Sequence, residues 1–88
     1  MNFSDALKRV KIGDRLFRSG WNGRNMFIYL VEGFDFEVVK PPLLGVYPRG
    51  KGIKQLPYLA FVTAQGDTVP WLISQTDVLA NDWAILVP

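Results

Sequence analysis

Phe3, Ala6, Leu7 and Val10 recur at the i, i+3, i+4, i+7 spacing of one helix face, which predicts a helix over Asn2–Val10. Asn2 suits the capping position, Asp5 stands at the third helical residue, and Gly13 is a natural stop just beyond. At about two turns such a helix is marginal in isolation, so it has to dock on another element. The period then changes. Asp14–Ser19 and Asn25–Val31 read as strands, joined through Gly20-Trp21-Asn22-Gly23 with its Asn-Gly turn signal. Within the second strand Met26, Ile28 and Leu30 alternate with Phe27, Tyr29 and Val31, so both faces are apolar. That pattern predicts cover on both sides, by the helix on one and by a partner subunit on the other.

Gly33–Pro57 has no clear period. It holds Pro41-Pro42, Pro48-Arg49-Gly50, Gly52 and Pro57, and reads as a long irregular loop. Its segments Phe34-Asp35-Phe36 and Leu43–Tyr47 are too apolar for a solvated linker, which predicts packing on the body or on another chain. Tyr58–Ala64 is a strand, Gln65-Gly66-Asp67-Thr68 a hairpin turn, and Val69–Leu72 the return, with Pro70 favouring a sheet edge. Ser74 then caps a short helix from Gln75 to about Ala80, with Asp77 in a box-like position and Ile73 placed to staple onto Val78. Asn81 suits a left-handed closing residue, and Trp83–Val87 forms the last strand. The order predicts the α+β class: a small twisted antiparallel sheet carrying an N-terminal helix and a short C-terminal helix.

Composition narrows what such a module does. Its 88 residues suit one domain, and a 49% hydrophobic share with three Trp, three Tyr and six Phe supplies a core. The chain has neither Cys nor His. This removes disulfides, Cys/His zinc sites, Ser-His-Asp triads and the commonest general base. The start, Met1-Asn2-Phe3-Ser4-Asp5, lacks the pattern of a signal peptide, and no apolar run approaches the roughly 18 residues of a membrane span. The expectation is a cytoplasmic protein with no membrane partner. Between Val38 and Gly66 there is no acidic residue, while Lys40, Arg49, Lys51 and Lys54 give that stretch +4 in a chain of net charge +2. This suits a solvated loop or a local site for a few phosphates, with Arg49 and Lys51 as candidate contacts; it is too small for duplex nucleic acid.

Catalytic readings are weak. Asp77 and Asp82 have the look of an acid–base pair, but a helix cap accounts for the first and a helix-to-strand turn for the second. Ser74 has no histidine to activate it. A Ser-Lys dyad with Lys51 or Lys54, or a magnesium site, has no supporting spacing. Gly50-Lys51-Gly52 does not run from a strand into a helix and fails as a phosphate loop. No cofactor or metal is expected. Binding is better supported: Trp21 in a turn and Trp71 at a strand end offer flat faces for a base, worth roughly 1–3 kcal/mol of stacking each, where burial in the core is the competing reading. Trp83, in an apolar strand, reads as core.

Four blocks carry a resemblance: Asn2-Phe3-Ser4-Asp5-Ala6-Leu7, Arg18-Ser19-Gly20-Trp21-Asn22-Gly23, Val69-Pro70-Trp71-Leu72-Ile73-Ser74-Gln75-Thr76-Asp77-Val78-Leu79-Ala80, and Asp82-Trp83. Together they resemble a family of small phage and prophage proteins that includes the second type of Thoeris anti-defence protein. The resemblance covers roughly residues 1–32 and 58–87 and no motif in Gly33–Pro57. It implies a homotetrameric sponge in the host cell cytoplasm, not an enzyme. Such a protein sequesters a cyclic ADP-ribose isomer made by Toll/interleukin-receptor-type defence proteins, and in some relatives cyclic di- or trinucleotides of CBASS defence. By matching the blocks, the resemblance implies Trp21, Asn22, Trp71, Gln75, Thr76 and Asp77 as pocket residues. Two other readings stand beside the sponge: a protein-interaction module that inhibits a host protein, and a phosphodiesterase that cleaves the signal.

Overall fold

A computed structural model describes residues 1–22 and 25–87. Helix α1 (Phe3–Lys11) opens the chain, and the Asn2 side chain accepts from the Asp5 backbone N–H at 2.9 Å. Its apolar stripe is the one the spacing predicts: Ala6 and Val10 are fully buried, with Phe3 and Leu7 packed at the margin. The main sheet has five strands: β1 (Leu16–Arg18), β2 (Phe27–Val31), β5 (Tyr58–Val62), β6 (Thr68–Pro70) and β7 (Trp83–Ile85). Its order is β6-β5-β2-β1-β7, antiparallel throughout. Pro70 lies on the edge strand β6, where a missing N–H is harmless. The turn between β1 and β2 includes Gly23, which lies outside the described residues.

The core forms where α1 crosses the sheet. Leu16, Ile28 and Trp83 meet Ala6 and Val10, and Leu59, Phe61 and Ile85 pack around them. On the opposite face Phe27 and Tyr29, two apart on β2, set their ring centroids 6.0 Å apart, and the Tyr29 hydroxyl bonds Thr68 Oγ1 at 2.6 Å. Ala60, in register between Tyr29 and Pro70, is buried on that face by its neighbours.

Two expectations need correction. Gly33–Pro57 is not irregular throughout: it contains β3 (Phe34–Glu37) and β4 (Gly52–Gln55), a second, two-stranded antiparallel sheet. These strands pair with each other and with no strand of the main sheet, so the segment is an arm with its own small centre at Val38. The arm does not bury itself on the body; Val46 and Leu56 are 74% and 66% exposed. The Cα radius of gyration, 16.3 Å, exceeds the roughly 12 Å expected of a compact chain of this length. The neck is tight at Gly33, where a side chain would collide with the Gln55 carbonyl and crowd Pro57.

The second correction concerns α2 (Gln75–Val78). Ser74 caps it, its Oγ accepting from the Asp77 N–H at 3.1 Å, but the helix closes at Leu79 with a right-handed backbone. Asn81 does not take a left-handed conformation; among described non-glycine residues only Asn25 has a positive φ. The helix ends after four residues at Leu79, two residues before Asn81, so Asn81 is not its closing residue.

Trp83 is the largest fully buried side chain. Its truncation to alanine is expected to cost about 3–5 kcal/mol, against a total of about 4–13 kcal/mol for a domain of this size. Urea unfolding checks this: the Trp83→Ala midpoint should collapse toward zero denaturant, whereas a shift under 1 kcal/mol would contradict the packing described.

Candidate functional site

Three blocks of chain converge at the β1–β7 end of the sheet: the turn after β1, helix α2, and the α2–β7 connection. The antiparallel register sets Arg18 opposite Trp83, and the Ser19 N–H donates to the Asp82 carbonyl at 3.1 Å. Arg18 shares its face of β1 with the buried Leu16, so its guanidinium is directed inward and needs anionic partners. It has two. Arg18 Nε donates to Asp82 Oδ1 at 2.7 Å, Nη2 reaches Asp82 Oδ2 at 3.4 Å, and Nη1 donates to Asp77 Oδ1 at 2.8 Å. Only 17% of the Arg18 side chain is exposed. The Gly20 N–H adds a 2.8 Å bond to Asp82 Oδ2, and a Cβ at Gly20 would sit 2.7 Å from that oxygen, so any side chain here would have to displace the Asp82 carboxylate.

Two of the three tryptophans bond Asp77, one at its carboxylate and one at its backbone carbonyl. Trp21 Nε1 donates to Asp77 Oδ1 at 3.1 Å, and Trp83 Nε1 donates to the Asp77 backbone carbonyl at 2.9 Å. Trp21 meets Trp83 and Phe61 edge-on at centroid distances of 5.3 and 5.5 Å. Trp71 approaches Trp83 edge-on at 6.0 Å, with Phe3 tilted against both. Trp83 is thus the buried hub, while Trp21 and Trp71 are half-buried flanks, each with part of its indole in solvent. Each flank both packs on the core and presents surface.

Of the residues the sequence singled out, Trp21, Trp71 and Asp77 come together in this cluster, with Gln75 and Thr76 exposed on the first turn of α2. Asn22 is exposed beside Trp21. A cleft of about 280 Å³ opens next to Trp21, lined also by Phe17, Arg18, Ser19, Asn25, Met26 and Leu86; Asn22, Trp71, Gln75, Thr76 and Asp77 lie outside its lining. Arg49 and Lys51 are not part of the cluster. Both are exposed at the end of the arm, where Arg49 Nη1 donates to the Val39 carbonyl at 2.9 Å. Arg18 was not among the candidate residues, although an arginine two places from an inward leucine on a short strand is the signal that could have found it.

The electrostatics follow from this wiring. Burial pushes the Asp77 carboxyl up, but donation from Arg18 and Trp21 outweighs it and holds the group below the ordinary carboxylate value. Asp82 is held down by the Arg18 guanidinium, with the Gly20 N–H adding to it against a smaller effect of burial. Arg18 is raised above its already high value by the same two partners. The trio therefore carries one net negative charge at neutral pH. Asp77 Oδ1 accepts from both Arg18 and Trp21, and the Ser74 side chain adds a further hydrogen bond to the carboxyl. The cluster thus holds an ionised acceptor group beside the Trp21 indole.

Nearly the whole chain fits one family. A model of the Thoeris anti-defense 2-like domain matches residues 1–86, and the chain belongs to that family. It is also 38% identical, over an alignment of 96 residues, to the protein named Thoeris anti-defense 2 of Bacillus phage SP01, covering 98% of this chain and 94% of that one. The family and this relative give the protein an anti-defence role.

Because both carboxylates titrate lower in the folded protein than in the unfolded chain, they contribute stability above about pH 4 that is lost as the pH falls through their folded values. Melting temperature is therefore expected to drop steeply on acidification below pH 4. In Asp82→Asn it should start lower at pH 7 and fall less in acid. Parallel acid slopes for the two proteins, in thermal scans from pH 7 to 2.5, would contradict the pairing.

Proposed function

We propose that this protein acts in the host cell cytoplasm by binding and sequestering a cyclic ADP-ribose-type signalling nucleotide, without cleaving it, so that the defence effector downstream stays silent. The observation that carries the reading is the acceptor carboxylate of Asp77 bonded to the half-buried Trp21 indole, in a chain with no His and no Cys. An adenine ring is matched by an aromatic wall, and ribose hydroxyls by the Asp77 carboxylate with Asn22, Gln75 and Thr76 as nearby polar groups. The same surface suits a cyclic di- or trinucleotide.

A cleft of about 280 Å³ lies at the lower edge of the roughly 300–1,000 Å³ typical of ligand cavities. On this reading a homotetramer completes the enclosure, and the apolar arm and the Phe27–Tyr29 face are the surfaces that copies bury against one another. Arg49 and Lys51 sit on that arm and would reach the ligand's phosphates from a neighbouring copy, since within one chain they stand apart from the indole cluster. The exposed apolar arm also suits the second reading, a module that inhibits a host protein.

One experiment separates these readings. The protein is incubated with cyclic ADP-ribose isomers and cyclic di- and trinucleotides, sized by light scattering, washed, heated, and its supernatant analysed by mass spectrometry. The expected result is a tetramer that releases an intact nucleotide. Altered products would make the protein an enzyme, and no uptake would favour the protein-interaction module. A second expectation concerns Trp71. Replacing it with alanine removes stacking worth roughly 1–3 kcal/mol, a loss of roughly five- to 150-fold in affinity by calorimetric titration below the variant's melting point. Unchanged affinity would remove Trp71 from the pocket.

A further inference from the structure

Arg18 holds a position that the sequestration reading does not by itself explain. It lines the cleft beside Trp21, where an arginine invites the role of phosphate clamp. Its bonding argues against that role. Nε and both terminal nitrogens are already directed at carboxylates, and two aspartates overbalance its single charge. A phosphate placed there would meet a net negative group instead of an open cation.

The geometry points to a different role: Arg18 is the positioning residue of the nucleotide site, acting through Asp77. The claim rests on the sequestration reading for its ligand and on the hydrogen bonds for its mechanism. The Asp77 carboxylate belongs to a four-residue helix that cannot hold a side chain rigid alone, and it must be fixed from outside. Asp82 anchors the guanidinium from one side through two contacts and is itself fastened by the Gly20 N–H. The guanidinium then delivers Nη1 to Asp77 Oδ1 from a distance of 59 residues along the chain. With Oδ1 held by both Arg18 and the Trp21 indole, the carboxylate and the indole that lines the cleft are fixed against each other, and Oδ2 is the oxygen that a hydroxyl or amino donor of the ligand would use. The fork geometry matters: a lysine brings the charge but cannot serve both carboxylates in their two directions.

The test compares wild type, Arg18→Lys, Arg18→Gln and Asp82→Asn, each at a temperature where circular dichroism shows it folded. The first readout needs no ligand. In ¹H–¹⁵N spectra the Trp21 indole N–H should shift and exchange with solvent at least tenfold faster in Arg18→Gln. The Trp83 indole N–H, bonded to a backbone carbonyl, should stay as in wild type. Arg18→Lys and Asp82→Asn should fall between, which keeps the test decisive if Arg18→Gln does not fold. The second readout is titration with whichever nucleotide of the panel named above wild type retains. Arg18→Gln should bind at least tenfold more weakly, and the acid limb of its binding profile should move to higher pH as Asp77 loses its partner. A Trp21 indole signal unmoved in every variant would overturn the positioning role, and so would wild-type affinity with an unshifted pH profile. A wild-type protein that retains no nucleotide overturns the sequestration reading instead, and the indole readout then decides the role of Arg18 on its own.

Discussion

The buried indole of Trp83 is the constraint from which the rest of this structure follows. A tryptophan can be buried fully only if its ring is surrounded and its N–H finds an acceptor. Here the ring is enclosed by Phe3 of α1, Trp21 of the β1–β2 turn and Trp71 after β6, and its Nε1 finds the Asp77 carbonyl of α2. Three stretches of chain, helix α1, the β1–β2 turn and residues 71–83, thus have to meet at one point. The backbone of the same residue completes the junction, since its N–H donates to the Met1 carbonyl at 3.1 Å. The family's motif blocks are the segments that satisfy this one side chain. Their residues combine a structural duty with a surface one: Trp21 and Trp71 are the walls of a packed cluster whose outer sides remain in solvent.

The polar half of the junction obeys a similar logic. Arg18 comes inward because strand alternation puts it on the face of Leu16, and an inward cation without partners is severely penalised. Two aspartates answer it, and the pair of them leaves a surplus negative charge beside the indoles. Neither aspartate is suited to act as a general acid, which needs its proton retained near neutral pH, whereas both carboxylates are held below their ordinary values by the arginine. Fixed, ionised and flanked by aromatic surface, Asp77 has the properties of a recognition group.

Much of the fold is legible locally. The helical stripe of α1, the Ser74 cap and the edge position of Pro70 each follow from a few neighbouring residues, and each is found where the spacing puts it. What escapes is what depends on distance. The strands β3 and β4 are separated by a turn-rich stretch holding three prolines, so their pairing of Phe36 with Ile53 and Asp35 with Lys54 has no local signature. The Arg18 contacts span 59 and 64 residues, and nothing beside Arg18 announces them. Asp77 shows both levels at once. Its backbone N–H makes the bond to Ser74 that the capping pattern predicts, but its carboxylate is spent on Arg18 and Trp21 instead of closing a reciprocal box.

The separation of the basic residues from the indole cluster is the last consequence of this architecture. Lys40, Arg49, Lys51 and Lys54 all lie on the arm, and the arm is held off the body by its own pairing and by the tight neck at Gly33. The surface near Asp77 is negative, so a phosphorylated ligand stacked on Trp21 or Trp71 would need its charge met from elsewhere. The arm supplies positive charge and exposed apolar surface together, and an arm that stays clear of its own body is free to lie against another's. On the proposed reading, rings and hydroxyls would be met by the body of one copy and phosphates by the arm of another, so the extended shape of the chain is what such an assembly would use.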